Sequence, residues 1–67
     1  MPLAQITMME GRSKEKKANL VREVTDAMSR TLDAPKERIR VVIYEVPSEH
    51  WGIGGETADT LGQQHNQ

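Results

Sequence analysis

The spacing of apolar and polar positions changes twice along the chain, and it predicts a strand, then a helix, then a second strand. Leu3 to Met9 is a short run of apolar and β-tolerant residues that ends at Glu10 and Gly11, which predicts the first strand. Apolar residues then recur at helical spacing from Leu20 to Leu32, and Ser13 lies where it can cap the start of that helix. The first half of the chain is therefore predicted to be a strand followed by an amphipathic helix.

Pro35 sets the predicted end of the helix and the beginning of the next element. A proline disfavours helical geometry at the residue before it, so the helix should end near Asp33, and Pro35 can open one further turn through Arg38. The segment from Ile39 to Val46 contains consecutive β-forming residues, a pattern typical of parallel strands. We therefore predict an α+β fold whose subunit is a β-α-β unit with parallel strands and a right-handed crossover.

The predicted sheet has one face that the helix cannot cover. Strand alternation nevertheless places apolar side chains on both faces. In the first strand Ala4, Ile6 and Met8 point opposite to Leu3 and Met9, and in the second Val42 and Tyr44 point opposite to Val41 and Ile43. A chain of 67 residues usually needs disulfides, a metal or oligomerisation to persist, and this one has no Cys and only two His, too few for a structural zinc site. The sequence therefore predicts an oligomer.

The C-terminal part is predicted to be a turn followed by a tail. Pro47 ends the second strand, and the run His50–Gly55 predicts a tight hairpin or turn. Its glycines lack the spacing and the following long helix of a phosphate-binding loop, so turn geometry is the favoured explanation. From about residue 60 the chain is polar without periodicity, which predicts a flexible tail over 60–67 within a single domain, 1–67.

The charge composition excludes some partners. Nine Lys and Arg against ten Asp and Glu give a formal charge of -1, so no overall basic field favours nucleic acid or an anionic membrane. No secretory signal pattern is evident, and no apolar run approaches the ~20 residues that span a bilayer. We expect a cytoplasmic protein that binds neither nucleic acid nor membrane.

Pro2, directly after Met1, is the main candidate for chemistry. Removal of Met1 would leave a secondary amine, and such an amine can act as a base. An α-amino group titrates near ~7.7 to 8.0, and a neighbouring cation or a dry pocket favours its neutral form. Taken alone, a proline here more often only stiffens the end of the chain.

Two arginines and a tryptophan are candidate partners of Pro2. Parallel strands place Pro2 and Arg40 at the same end of the sheet, because each lies at the start of its strand. Arg12 lies in the loop after the first strand, where its planar fork of donors can bind a carboxylate. Taken singly, each arginine is more often a surface charge and Trp51 more often a packing residue. Their occurrence together with Pro2 favours a site.

The combined motifs resemble one family over nearly the whole chain. They are Pro2–Ile6, Glu10–Ser13, Leu32–Pro35, Ile39–Val41 and His50–Gly55. Together they resemble the 4-oxalocrotonate tautomerase family. The resemblance implies a tautomerase-like β-α-β subunit, a homohexamer with active sites shared between subunits, and no need for a metal or an organic cofactor.

The resemblance also implies roles for particular residues. Pro2 would be the general base that converts a 2-hydroxydienoate dicarboxylate, such as 2-hydroxymuconate, to its 2-oxo-3-enoate isomer. Arg40 would bind near the 2-oxygen and its adjacent carboxylate, and Arg12 would bind the distal carboxylate. Trp51 occupies the position of a family aromatic, usually Phe, that lines the pocket, so its indole alters pocket shape. Arg38 places a bulky cation where smaller residues are usual, which can change substrate preference.

Two alternatives remain open from the residues alone. A protonated terminal proline can serve a related dehalogenase or hydratase, but such reactions generally need an acid to activate water. Ile53 occupies the pocket-forming turn, and Glu10 and Glu49 have no assigned role. The second alternative is a non-catalytic oligomeric module that binds carboxylates or another protein.

Overall fold

The fold is a β-α-β unit followed by a small C-terminal hairpin and a second helix. The computed structural model describes residues 1–65 and the side chains of residues 1–61. The elements are β1 (Leu3–Met9), α1 (Lys14–Leu32), a first 3-10 turn (Lys36–Arg38), β2 (Arg40–Val46), a second 3-10 turn (Ser48–His50), β3 (Gly52–Ile53), β4 (Glu56–Thr57) and α2 (Ala58–His65). This architecture confirms the predicted fold class.

The main sheet consists of β1 and β2 in parallel pairing, as predicted. Leu3 pairs with Arg40 at one end, and Met9 pairs with Val46 at the other. The ladder continues one residue further, because the backbone N–H of Glu10 donates to the Val46 carbonyl at 2.9 Å. Both strands therefore begin at one end of the sheet and finish at the other, and this separates the functional residues into two groups.

Local side-chain chemistry fixes both ends of α1. The Ser13 hydroxyl accepts a 3.2 Å hydrogen bond from the backbone N–H of Lys16, which is the predicted cap. At the other end Asp33 adopts the left-handed conformation, with φ of 58°, that commonly ends a helix. The Ser29 hydroxyl then donates to the Ala34 carbonyl at 2.7 Å and holds the exit of the chain. The predicted boundaries of the helix are confirmed.

One face of the main sheet packs under α1 and the other is open. Residues on the covered face are half-buried, namely Ala4, Ile6, Met8, Val41 and Ile43. On the open face Leu3, Val42 and Tyr44 keep 53%, 37% and 48% of their surface exposed. Among the described side chains, only Ile39 is fully buried. A single subunit therefore has a very small core, and the open apolar face supports self-association.

The structure differs from the sequence predictions at two places. Ile39, expected to begin β2, instead closes the first turn by donating its N–H to the Lys36 carbonyl, so β2 begins at Arg40. The polar segment expected as a tail from about residue 60 instead forms α2 as far as His65. This helix packs against the second turn and β4, contacts that sequence periodicity does not show. Residues 66 and 67 lie outside the described residues, and the single-domain division stays a prediction.

Neither helix within residues 1–65 combines the length and apolarity of a bilayer-spanning segment.

Candidate active site

Pro2 and Arg40 lie side by side, as the parallel pairing predicted. The backbone N–H of Arg40 donates to the Pro2 carbonyl at 3.0 Å, just before the Leu3 and Arg40 pair of the ladder. Pro2 is half-buried, whereas Met1 is 83% exposed and extends beyond the sheet. Removal of Met1 would place a terminal amine at a partly enclosed position beside the start of β2.

The guanidinium group of Arg40 is held by backbone carbonyls. Its Nη1 donates to the Glu37 carbonyl at 2.7 Å and to the Ile39 carbonyl at 3.4 Å. Among the described side chains, its other nitrogens have no hydrogen-bond partner, so donors remain for an anionic ligand. Arg40 pairs with Leu3 and is exposed like it, so both side chains belong to the open sheet face. Arg38 is also exposed, in the turn that leads into this end of the sheet.

Arg12 lies at the opposite end of β1. It helps to form a groove of about 310 Å³ whose lining residues are Met8, Arg12, Lys16, Lys17 and Leu20. A strand advances about 3.3 Å per residue, so β1 separates this groove from Pro2 by roughly 20 Å. Within one chain the structure therefore does not bring Arg12 together with Pro2 and Arg40.

The wall of this groove is fixed by an ion pair between α1 and β2. Lys17 Nζ lies 2.8 Å from Glu45 Oε1, and each side chain is 29% exposed. The pair attaches the first turns of the helix to the strand beneath them. The positive charge of Lys17 is therefore already paired with a carboxylate of the same chain.

Trp51 lies in the C-terminal segment, beyond the end of β2 that is nearer to Arg12. Its backbone N–H donates to the Ser48 carbonyl at 3.2 Å, and its carbonyl accepts from the Ala58 N–H at 2.8 Å. The hairpin of β3 and β4 packs mainly with α2 and the second turn. At the hairpin tip Gly54 and Gly55 have φ of 60° and 90°, which suits glycine. Trp51 is thus half-buried in an extension of the subunit, on the side away from Pro2.

The sequence analysis did not single out the groove residues other than Arg12. The available signal was the four-residue spacing of Lys16 and Leu20, which places them on one side of α1, together with the position of Arg12 in the loop just before the helix cap. Their assembly into a groove also needs α1 to dock on the sheet. Within the described part of the chain, no three acidic or His side chains are grouped so as to hold a metal ion.

Comparison with known proteins identifies the class of protein that this fold and site define. The family model described as "Tautomerase enzyme" matches residues 2–60, so the chain belongs to the tautomerase family. The 2-hydroxymuconate tautomerase of Pseudomonas putida is 59% identical over 63 residues, which is 94% of this chain and 100% of that relative. The family predicted from the sequence motifs is confirmed, and the chain is an isomerase.

Solved structures agree with this assignment. A 4-oxalocrotonate tautomerase isozyme from Methylibium petroleiphilum is 51% identical, covers 91% of this chain and 98% of its own, and superposes with a TM-score of 0.88. A heterohexameric 4-oxalocrotonate tautomerase from Chloroflexus aurantiacus is 44% identical over the same shares, with a TM-score of 0.87. Relatives of this fold therefore act on small molecules and assemble from several subunits.

Proposed function

We propose that this chain catalyses the keto–enol tautomerisation of a 2-hydroxydienoate dicarboxylate, with 2-hydroxymuconate as the reference substrate. The observation that carries the proposal is the pairing of Pro2 with Arg40 at one end of the sheet. The near full-length similarity to 2-hydroxymuconate tautomerases supports the choice of substrate.

The proposed reaction needs one base and nearby cations. After loss of Met1, the Pro2 nitrogen accepts the proton of the 2-hydroxyl group and returns it to C5. The O–H bond breaks, a C5–H bond forms, and the product carries a C2 ketone and a C3–C4 double bond. Arg40 stabilises the negative charge that develops at the 2-oxygen, while Arg12 holds the distal carboxylate and orients the substrate.

We propose that each active site is built from more than one subunit. The roughly 20 Å that β1 places between Pro2 and Arg12 is far longer than a six-carbon dicarboxylate. Two copies related by a twofold axis, with their sheets antiparallel, would bring the Pro2 end of one to the Arg12 end of the other. The open face with its exposed Leu3, Val42 and Tyr44 offers the surface for such contacts.

In this arrangement Trp51 would line a pocket in a neighbouring subunit. It lies in an extension that packs mainly on its own C-terminal elements, so the extension is available to reach across. A large apolar ring near the Pro2 nitrogen disfavours its charged form by desolvation, which favours the neutral base. The indole N–H and the nearby Arg38 would then influence which substrates fit.

We propose a homohexamer as the working assembly, in the cytoplasm. The heterohexameric relative supports the number of subunits. A six-carbon dienol dicarboxylate has the carbon count of an opened aromatic ring, so we place the enzyme in the catabolism of aromatic compounds.

The test combines intact mass with an ultraviolet assay of 2-hydroxymuconate. Protein that lacks Met1 should consume the dienol, and Pro2→Ala should reduce turnover by about 100-fold or more, the usual contribution of a general base. Unchanged turnover in Pro2→Ala would rule out the proline mechanism. Calorimetry that detects binding without product would favour the carboxylate-binding module, and halide release from a chlorinated acrylate would favour dehalogenase chemistry.

A further inference from the structure

The groove at the start of α1 carries more positive charge than one carboxylate needs. Arg12, Lys16 and Lys17 line it together with the apolar side chains of Met8 and Leu20. The ion pair of Lys17 with Glu45 offsets one of the three charges. Within residues 1–61 neither Arg12 nor Lys16 has an acidic partner, so two cations remain beside the apolar lining.

The local fold keeps these two cations together. The N–H of Lys16 donates to the Ser13 hydroxyl, so the start of the helix is held against the loop that carries Arg12. The ion pair of Lys17 then fixes the same turn against β2. Lys16 is thereby anchored through its own backbone N–H and through the neighbouring Lys17, although its own side chain is exposed.

We propose that Lys16 is a specificity-determining residue, and that it joins Arg12 in binding the second carboxylate of a dianionic substrate. This inference rests on the proposed function and assigns the groove to the end of the substrate away from the reacting 2-oxygen. Arg12 supplies a directional fork, and Lys16 supplies a compact charge that adds attraction without fixing geometry. Monoanionic dienols, which lack the second carboxylate, gain nothing from Lys16.

The first experiment compares kcat/KM for 2-hydroxymuconate with that for the monoanion 2-hydroxypenta-2,4-dienoate. In Lys16→Gln the dianion to monoanion ratio should fall about three- to fivefold, the size expected for one exposed charge pair. Lys14→Gln is the matched control, because Lys14 is exposed in the same turn but does not line the groove. Its ratio should equal that of the wild type, and Lys16→Arg should retain most of the preference.

Salt and assembly measurements complete this test. The wild-type ratio should decline as sodium chloride is raised, because an exposed charge is screened. Sedimentation and circular dichroism check that each variant keeps its assembly and helix content. An unchanged ratio in Lys16→Gln, or an equal fall in Lys14→Gln, would overturn the assignment of Lys16.

A binding experiment separates this inference from the proposed function. Calorimetry with two unreactive acids, the dianion cis,cis-muconate and the monoanion sorbate, measures the preference for a dianion over a monoanion without turnover. If neither dienol is converted, the proposed function is wrong, yet loss of the muconate preference in Lys16→Gln would still support the role of Lys16. Turnover of 2-hydroxymuconate with no such loss would keep the function and reject the role of Lys16.

Discussion

The backbone N–H of Arg40 donates a 3.0 Å hydrogen bond to the carbonyl of Pro2, which ties the start of β2 to the residue that precedes β1. This hydrogen bond uses the carbonyl of Pro2, so the peptide bond between Met1 and Pro2 takes no part in the strand pairing. The position of Pro2 is therefore set by residues that remain after Met1 is removed.

Retention of Met1 should abolish activity without weakening the fold. With Met1 attached, the Pro2 nitrogen is an amide with no useful basicity, while Met1 itself is largely exposed. The free energy of unfolding of protein made with methionine aminopeptidase inhibited should lie within about 0.5 kcal/mol of that of the processed form, as expected for a change at the surface. Urea titration and the dienol assay on both forms check this. Equal activity in the two forms would contradict a proline base.

Two variants that are each impaired should complement one another when they are mixed and assayed at a substrate concentration well below the KM of Arg12→Ala. Pro2→Ala removes the base at one end of the sheet, and Arg12→Ala removes the carboxylate-binding group at the other. If two subunits share a site, a mixed dimer combines the intact Pro2 of one subunit with the intact Arg12 of its partner. Random reassembly of equal amounts around a twofold axis should recover about one quarter of the wild-type activity. Mixing after denaturation and refolding, followed by the dienol assay, measures the recovery. Two samples refolded separately and then combined are the control, and no recovery would place the whole site in one chain.

Arg12→Ala and Arg40→Ala should have different kinetic effects. Loss of Arg12 removes binding that is present before and during reaction, so KM should rise about tenfold or more with a smaller change in kcat. Loss of Arg40 removes a group that faces developing charge, so kcat should also fall, by about 100-fold. Steady-state kinetics with 2-hydroxymuconate distinguish the two. Equal and negligible effects would contradict both assigned roles.

Val42→Glu should break the assembly. Val42 lies on the open face of the sheet, and a charge placed there would have to be buried without a partner when subunits associate. Sedimentation velocity should show smaller species than the wild type. Ala18→Glu, at an exposed position of α1, adds the same charge on the other side and should leave the assembly intact. An unchanged sedimentation coefficient for Val42→Glu would show that this face is not an interface.

Asp26 should titrate below its ordinary pKa because of Lys36. The hydrogen bond from Lys36 lowers the pKa of the Asp26 carboxyl, desolvation opposes this, and the charges of Lys36, Arg30 and Arg22 add to the lowering from 3.8. A lowered pKa in the folded state adds stability that is present above the unfolded value and is lost as the pH falls through the folded value. Carboxyl NMR titration should show a higher Asp26 pKa in Lys36→Gln. Lys14→Gln, whose lysine has no part in this ion pair, should leave it unchanged.

Local features of the sequence were enough to predict most of the β-α-β unit. Ser13, Pro35 and the β-forming run of β2 act through neighbouring residues, so the cap, the first turn and the strand followed from short segments. The second helix and the groove did not, because α2 depends on packing against the second turn and the groove depends on docking of α1. Pro2 and Arg40 were predicted to share an end, since parallel pairing alone decides that.

Among the side chains of residues 1–61, Ile39 alone is buried, and this has a consequence for how the protein persists. A chain with so little interior of its own gains most of its stability when copies meet, so the folded population rises with the amount of protein present. The expression level then sets both the number of enzyme molecules and the fraction of them that is folded. Below the concentration at which the subunits dissociate, the folded structure and the activity would be lost together.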